Sequence, residues 1–201
     1  MEISSGPELA TLPQKPDSQC RPSAVLVCHP AAPCRAVQVL EATACLLDGH
    51  QLAVGFSLRG DLDRLRFPAA CAPQRTDRLW EHTCFEAFLA RPGQDPYWEL
   101  NLAPSTEWAV YRFRRYREGG CPAPELEPRI TVNRTQGRLD LQAVVALDAL
   151  DSGQGLQVGL SAVLEPLDGP LSYWALRHGP GRPDFHLREA FALELHPGAQ
   201  T

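Results

Sequence analysis

The side chains best suited to chemistry gather in Trp80-Glu81-His82-Thr83-Cys84-Phe85-Glu86-Ala87-Phe88, followed by Tyr97-Trp98-Glu99-Leu100-Asn101-Leu102-Ala103-Pro104 and Trp108-Ala109-Val110-Tyr111-Arg112-Phe113. Residues two apart share a face of a strand, so His82 and Cys84 could present an imidazole and a thiolate to zinc, with His178 or His186 completing a tetrahedral set. No paired C-x-x-C spacing accompanies them, and folding would have to bring the distant histidines in. Cys84 beside a histidine would also suit a nucleophile and its base, and Glu86 with Glu99 a pair of acid and base carboxylates. Neither pairing has a local signature, and a cysteine in an apolar strand reads first as a buried thiol. Alternation sets Glu99 and Asn101 opposite Trp98, Leu100 and Leu102, which makes one strand face polar; Glu86 and either Arg112 or Arg114 could extend it. Such a face could hold hydroxyl groups, although charged pairs on a solvated sheet are the ordinary reading.

Three of the four tryptophans fall in these stretches. The fourth, Trp174, lies in Ser172-Tyr173-Trp174-Ala175-Leu176-Arg177-His178, which leads into Pro183-Asp184-Phe185-His186. An indole plane can cover the apolar face of a pyranose while a few polar groups fix its hydroxyls. Trp80 stands near charged Arg78 and Glu81 and is hard to bury, whereas Trp174 shares a face with Leu176 and is open between core and site. Trp98 alternates with Leu100 and Leu102 and reads as core.

These blocks resemble the DOMON-like superfamily and, within it, the family 9 carbohydrate-binding modules: a Trp ahead of a Cys-x-Glu strand, a strand running from Tyr to Asn, and an aromatic-rich closing strand. The resemblance spans Trp80 to Phe191, and Val37 to Leu58 fits the opening hairpin. It implies an all-β, antiparallel β-sandwich that binds a sugar or haem. For a sugar it points to Trp80, Trp174, Glu86, Glu99, Asn101 and Arg177 as ligand-binding residues, with no catalytic group. Haem ligation in relatives of the cytochrome type is associated with Met and His. Here the single methionine is Met1, which leaves bis-His ligation by two of His82, His178 and His186. The expectation is a non-catalytic domain that binds a small ligand, carbohydrate first, without a cofactor. One alternative is a metal- or haem-dependent enzyme or cofactor-binding protein that uses His82, Cys84, His178 and His186. Another is a protein-interaction module with an exposed apolar patch.

The elements that must position these residues are strands. Val37–Leu47 and Gln51–Leu58 flank Asp48-Gly49 as a hairpin, and Thr83–Leu89 with Tyr97–Ala103 flank Pro92-Gly93 as a second. Trp108–Tyr116 follows as a strand. Arg129–Asn133 and Arg138–Leu147 form a further hairpin, and Leu156–Leu164, Leu171–His178 and Ala190–Leu195 complete about nine to eleven strands, a number at which sheets usually split into two layers. Gly and Pro turns without a long amphipathic helix argue against a βαβ fold, with a closed barrel as the runner-up. Residues 1–21 lack a periodic apolar face and read as a flexible lead-in, with one domain over 22–201.

With 19 basic against 24 acidic residues and a net charge of -5, the chain has no electrostatic footprint for nucleic acid. No stretch approaches the roughly 20 apolar residues of a membrane span, and the first residues lack a basic start followed by an apolar core. A cytoplasmic protein is expected. Seven cysteines without repeated spacing suggest reduced thiols rather than a disulfide framework.

Overall fold

The computed structural model describes residues 23–47, 50–148, 150 and 155–196, so the lead-in expected over 1–21 lies outside them. Among the described residues the strands are β1 (Ala24–Val25), β2 (Val27–Cys28), β3 (Val37–Leu47), β4 (Gln51–Gly60), β5 (Leu65–Arg66), β6 (Cys84–Ala90) and β7 (Tyr97–Leu102). They continue with β8 (Trp108–Phe113), β9 (Cys121–Pro122), β10 (Arg129–Thr135), β11 (Arg138–Ala146), β12 (Leu156–Pro166), β13 (Ser172–Ala175) and β14 (Leu193–Leu195). Their pairings are all antiparallel. One sheet has the order β1-β3-β4-β11-β10; the other runs β2-β13-β12-β6-β7-β8-β9, with β5 and β14 also paired to β12.

The long strands follow the expected alternation. The additional ones are mostly two-residue pairings, too short for a periodic pattern to show. The strand expected over Ala190–Leu195 divides into a 3-10 turn, Arg188–Ala190, and β14. Between the sheets lies one large core to which β3, β4 and β11 contribute Leu40, Leu52, Phe56, Leu58, Leu139 and Leu141, while β6, β7 and β12 contribute Phe85, Leu89, Leu100, Leu102 and Leu160. Phe56 and Phe85 meet across it, 5.0 Å between ring centres.

The larger sheet buries both faces, so its strands β6 and β7 are buried along their whole length. Its outer face carries a second apolar cluster in which Phe88, Ala90, Tyr97, Val163 and Ala175 pack under Phe185, Ala190 and Phe191 of the segment before β14. Gly159 lets that segment approach: a Cβ there would meet Phe191 at 3.0 Å and the Ala190 carbonyl oxygen at 3.3 Å. At the other end of the same face Leu79 packs on Cys84, Ala103 and Ala109. Five described cysteines are free, whereas Cys45 is disulfide-bonded, a departure at that residue from the reduced thiols expected for most of the set.

Candidate functional site

The outer face opens, between these two apolar covers, into a cleft of about 590 Å³. Register explains its floor. Ser161 pairs with Glu86 and Glu86 with Asn101, while Phe88 pairs with Glu99 and Glu99 with Tyr111. Period-2 alternation points all of these away from the inter-sheet core, and Asn101 pairs onward with small Ala109. The polar face foreseen on β7 therefore exists. It is not solvated, however: Glu86 is 3% exposed, Glu99 6% and Asn101 0%.

Buried carboxylates need partners. Glu99 Oε1 accepts from Asn101 Nδ2 at 2.8 Å, and Asn101 Oδ1 lies 3.6 Å from the Cys84 thiol. Glu86 Oε2 accepts from Ser161 Oγ at 3.4 Å. Burial first, then the charge of Glu99, raises the Glu86 pKa well above the usual carboxylate range. Burial also raises Glu99, against the pull of Asn101 and Arg117. Two carboxyls on neighbouring strands thus hold protons more tightly than free glutamate does.

One wall is built by a loop. Arg78 adopts a left-handed backbone, φ 66°, at the entry to the 3-10 turn Leu79–Glu81. The turn buries Leu79 and leaves Trp80 38% exposed, its ring 5.7 Å from that of Tyr111 in an edge-to-face arrangement. Tyr111 donates to Asp77, which is also paired with Arg75 at 2.6 Å.

Phe113, Tyr173, Phe185, His186 and Arg117 also line the cleft. Phe113 stacks on Tyr97 at 4.8 Å and 4°. Gly120 makes room for that ring, since a Cβ there would lie 2.8 Å from Phe113 Cε1. Arg117, also left-handed at φ 52°, donates its backbone N–H to the Tyr97 hydroxyl at 3.1 Å and its guanidinium to Asp184 at 2.9 Å. The Tyr97 hydroxyl also shares a hydrogen bond with His186 Nδ1, 2.8 Å away. His186 Nε2 lies 3.8 Å from Glu99 Oε2, a gap wider than a hydrogen bond. Burial and the nearby Arg117 charge lower the His186 pKa to about 4, so the ring is neutral at pH 7. Among the described non-glycine residues only Arg78, Thr106 and Arg117 have positive φ. Two of these three shape the walls, which fits the tendency of sparsely populated backbone to collect at sites.

Of the residues expected from sequence, Trp80, Glu86 and Glu99 line the cleft and Asn101 lies beneath it. Trp174 does not belong with them. It is 7% exposed, packs in the inter-sheet core and donates its Nε1–H to Ser172 Oγ at 2.9 Å. Alternation gives the cleft to its neighbour Tyr173 instead. Arg177 is exposed and is not among the lining residues. The metal set is not assembled. His82 pairs with Glu165 at 2.7 Å, His178 with the Val27 carbonyl at 2.8 Å and His186 with Tyr97. No group of three or more His, Cys, Asp or Glu that could hold a metal occurs among the described residues. Cys84 is fully buried, and burial drives its thiol pKa well up, contrary to what a nucleophile requires.

Tyr111, Phe113 and Tyr173 were legible in part, because each shares the parity of its strand's outward residues. Arg117, Phe185 and His186 come from loops and carried no periodic signal.

No family model matches the chain, and no curated protein does. Among solved structures it is similar to a candidate carbohydrate-binding protein from Bacteroides uniformis ATCC 8492, with TM-score 0.64 and 16% identity over 87% of this chain and 85% of that one. A family 9 carbohydrate-binding module from Caldicellulosiruptor kristjanssonii, in complex with cellotriose, aligns with TM-score 0.48 and 10% identity over 80% of this chain and 74% of that one. The likeness is one of fold: an all-β, antiparallel sandwich, as the DOMON-like resemblance implied.

Proposed function

We propose that this protein binds a carbohydrate without chemically changing it, in the cleft on the outer face of its larger sheet. The observation that carries the reading is a cleft lined by the aromatic side chains of Trp80, Tyr111, Phe113, Tyr173 and Phe185 together with the buried pair Glu86 and Glu99. Its volume, about 590 Å³, falls in the roughly 300–1,000 Å³ range of small-molecule sites. Aromatic faces suit the C–H faces of a sugar ring. Carboxyl oxygens and the His186 ring nitrogen Nε2 suit hydroxyls, which both donate and accept. The candidate carbohydrate-binding protein with the same architecture supports this choice by analogy of fold.

The test is a titration of the full chain with neutral monosaccharides and disaccharides, followed by tryptophan fluorescence and by amide shifts in NMR spectra. Shifts should centre on Trp80, Glu99, Tyr111 and Tyr173. Saturable shifts elsewhere on the surface, with the cleft silent, would refute the proposal.

A further inference from the structure

The charges around the cleft do not balance. Three carboxylates, Glu81, Glu86 and Glu99, and one guanidinium, Arg117, line it. Arg78 neutralises Glu81 at 2.7 Å, and Asp184 occupies Arg117 at 2.9 Å. Glu86 and Glu99 remain without a Lys or Arg partner among the described residues. His186 does not serve, since Tyr97 occupies its Nδ1 and the buried ring stays neutral at pH 7. Glu86 is only 3% exposed. Ser161 reaches its Oε2, and no hydrogen-bond partner for its Oε1 occurs among the described residues. A carboxylate this deep is costly unless a cation or a proton accompanies it. The aromatic walls add their own preference, because the negative face of an indole or phenol ring attracts a cation.

We infer that the cleft selects a saccharide carrying a protonated amino group, whose ammonium pairs with Glu86 and Glu99. The sugar ring then lies against Trp80 and Tyr111. A neutral sugar could satisfy the carboxyl oxygens through its hydroxyls but brings no charge to offset theirs. A uronic acid would add a further carboxylate to this buried acidic floor, which desolvation and like-charge repulsion oppose. The inference rests on the saccharide reading and narrows it.

Calorimetric titration of the full chain at pH 6.5 with three matched series tests this: glucose, glucosamine and glucuronate, then the galactose and mannose equivalents. In at least one series the amine should bind about tenfold or more tighter than its neutral parent, as expected for a charge-assisted contact in a desolvated site, and the uronate should not bind. Glu86→Gln and Glu99→Gln should each erode the preference for the amine, lowering the ratio of amine affinity to neutral-sugar affinity by about threefold or more. Neutral sugars that bind as tightly as their amines would overturn the ammonium assignment and leave the saccharide reading in place. Silence from every sugar would overturn both. A preference for the amine that survives both glutamine variants would put the cation elsewhere and also overturn the assignment. The comparison on the unaltered protein decides even where a variant does not fold.

Discussion

Replacing Trp80 with alanine separates a binding aromatic from a structural one. About 250 Å² of surface belongs to a tryptophan side chain, so its 38% exposure leaves about 95 Å² for a ligand to cover. At about 25 cal/mol per Å², covering that area is worth about 2.4 kcal/mol, or roughly 50-fold in Kd. Trp80→Ala should therefore weaken the tightest-binding sugar of the titration by tens of fold. Trp174 is the control. It has 7% of its surface exposed and sits in the inter-sheet core, so Trp174→Ala should cost about 3–5 kcal/mol of stability. Trp174→Phe, which keeps most of the packing volume, should leave binding unchanged. Calorimetric Kd values and denaturant midpoints for the three variants provide the readout. If Trp80→Ala bound as tightly as the parent protein, or if Trp174→Phe lost binding at unchanged stability, the assignment of cleft and core would be wrong.

Three further outcomes follow from the same geometry. The raised Glu86 pKa means that the folded state holds its proton more tightly than the unfolded chain, so its contribution to stability is complete at acid pH and declines as pH rises above the ordinary carboxylate range. Thermal melts should accordingly show Glu86→Gln gaining on the parent as pH rises from 4 to 8; a constant difference would contradict the burial argument. His186 runs the other way: its folded pKa of about 4 against an ordinary 6.5 makes stability fall as pH drops through that window, by up to about 3 kcal/mol. Ring resonances in an NMR titration should place its midpoint near 4, and a midpoint near 6.5 would show that it is not held neutral. Gly120→Ala should push the Phe113 ring off Tyr97, since its Cβ would stand 2.8 Å from Phe113 Cε1, at a cost of about 1–3 kcal/mol and with weaker sugar binding. An unchanged midpoint and Kd would show that the wall adjusts freely.

The alternation Trp98, Leu100, Leu102 against Glu99, Asn101 was enough to establish β7 and its polar face, because period 2 is a property of the extended chain and needs no partner. The same arithmetic marked β3, β4, β6, β11 and β12, and the Gly and Pro turns made their pairing antiparallel. Sequence also singled out Trp80, Glu86, Glu99 and Asn101 together.

What alternation leaves undecided is which of a strand's two faces meets the other sheet. For β13 both Tyr173 and Trp174 are aromatic, and only the packing of Trp174 into the inter-sheet core hands the cleft to Tyr173. Burial of the polar face was equally hidden. Charged residues on one side of a strand ordinarily face water, whereas Glu86 and Glu99 lie in a cleft that distant loop residues, Trp80, Arg117, Phe185 and His186, also line. The segment carrying His186 joins β7 across more than 80 residues of chain, as the bond from Tyr97 to His186 shows. Local periodicity carries no information over such a separation. The chain itself determined the strands and the chemistry on each face; tertiary packing decided which face is a site, because desolvation depends on what lies above a side chain in space rather than beside it in sequence.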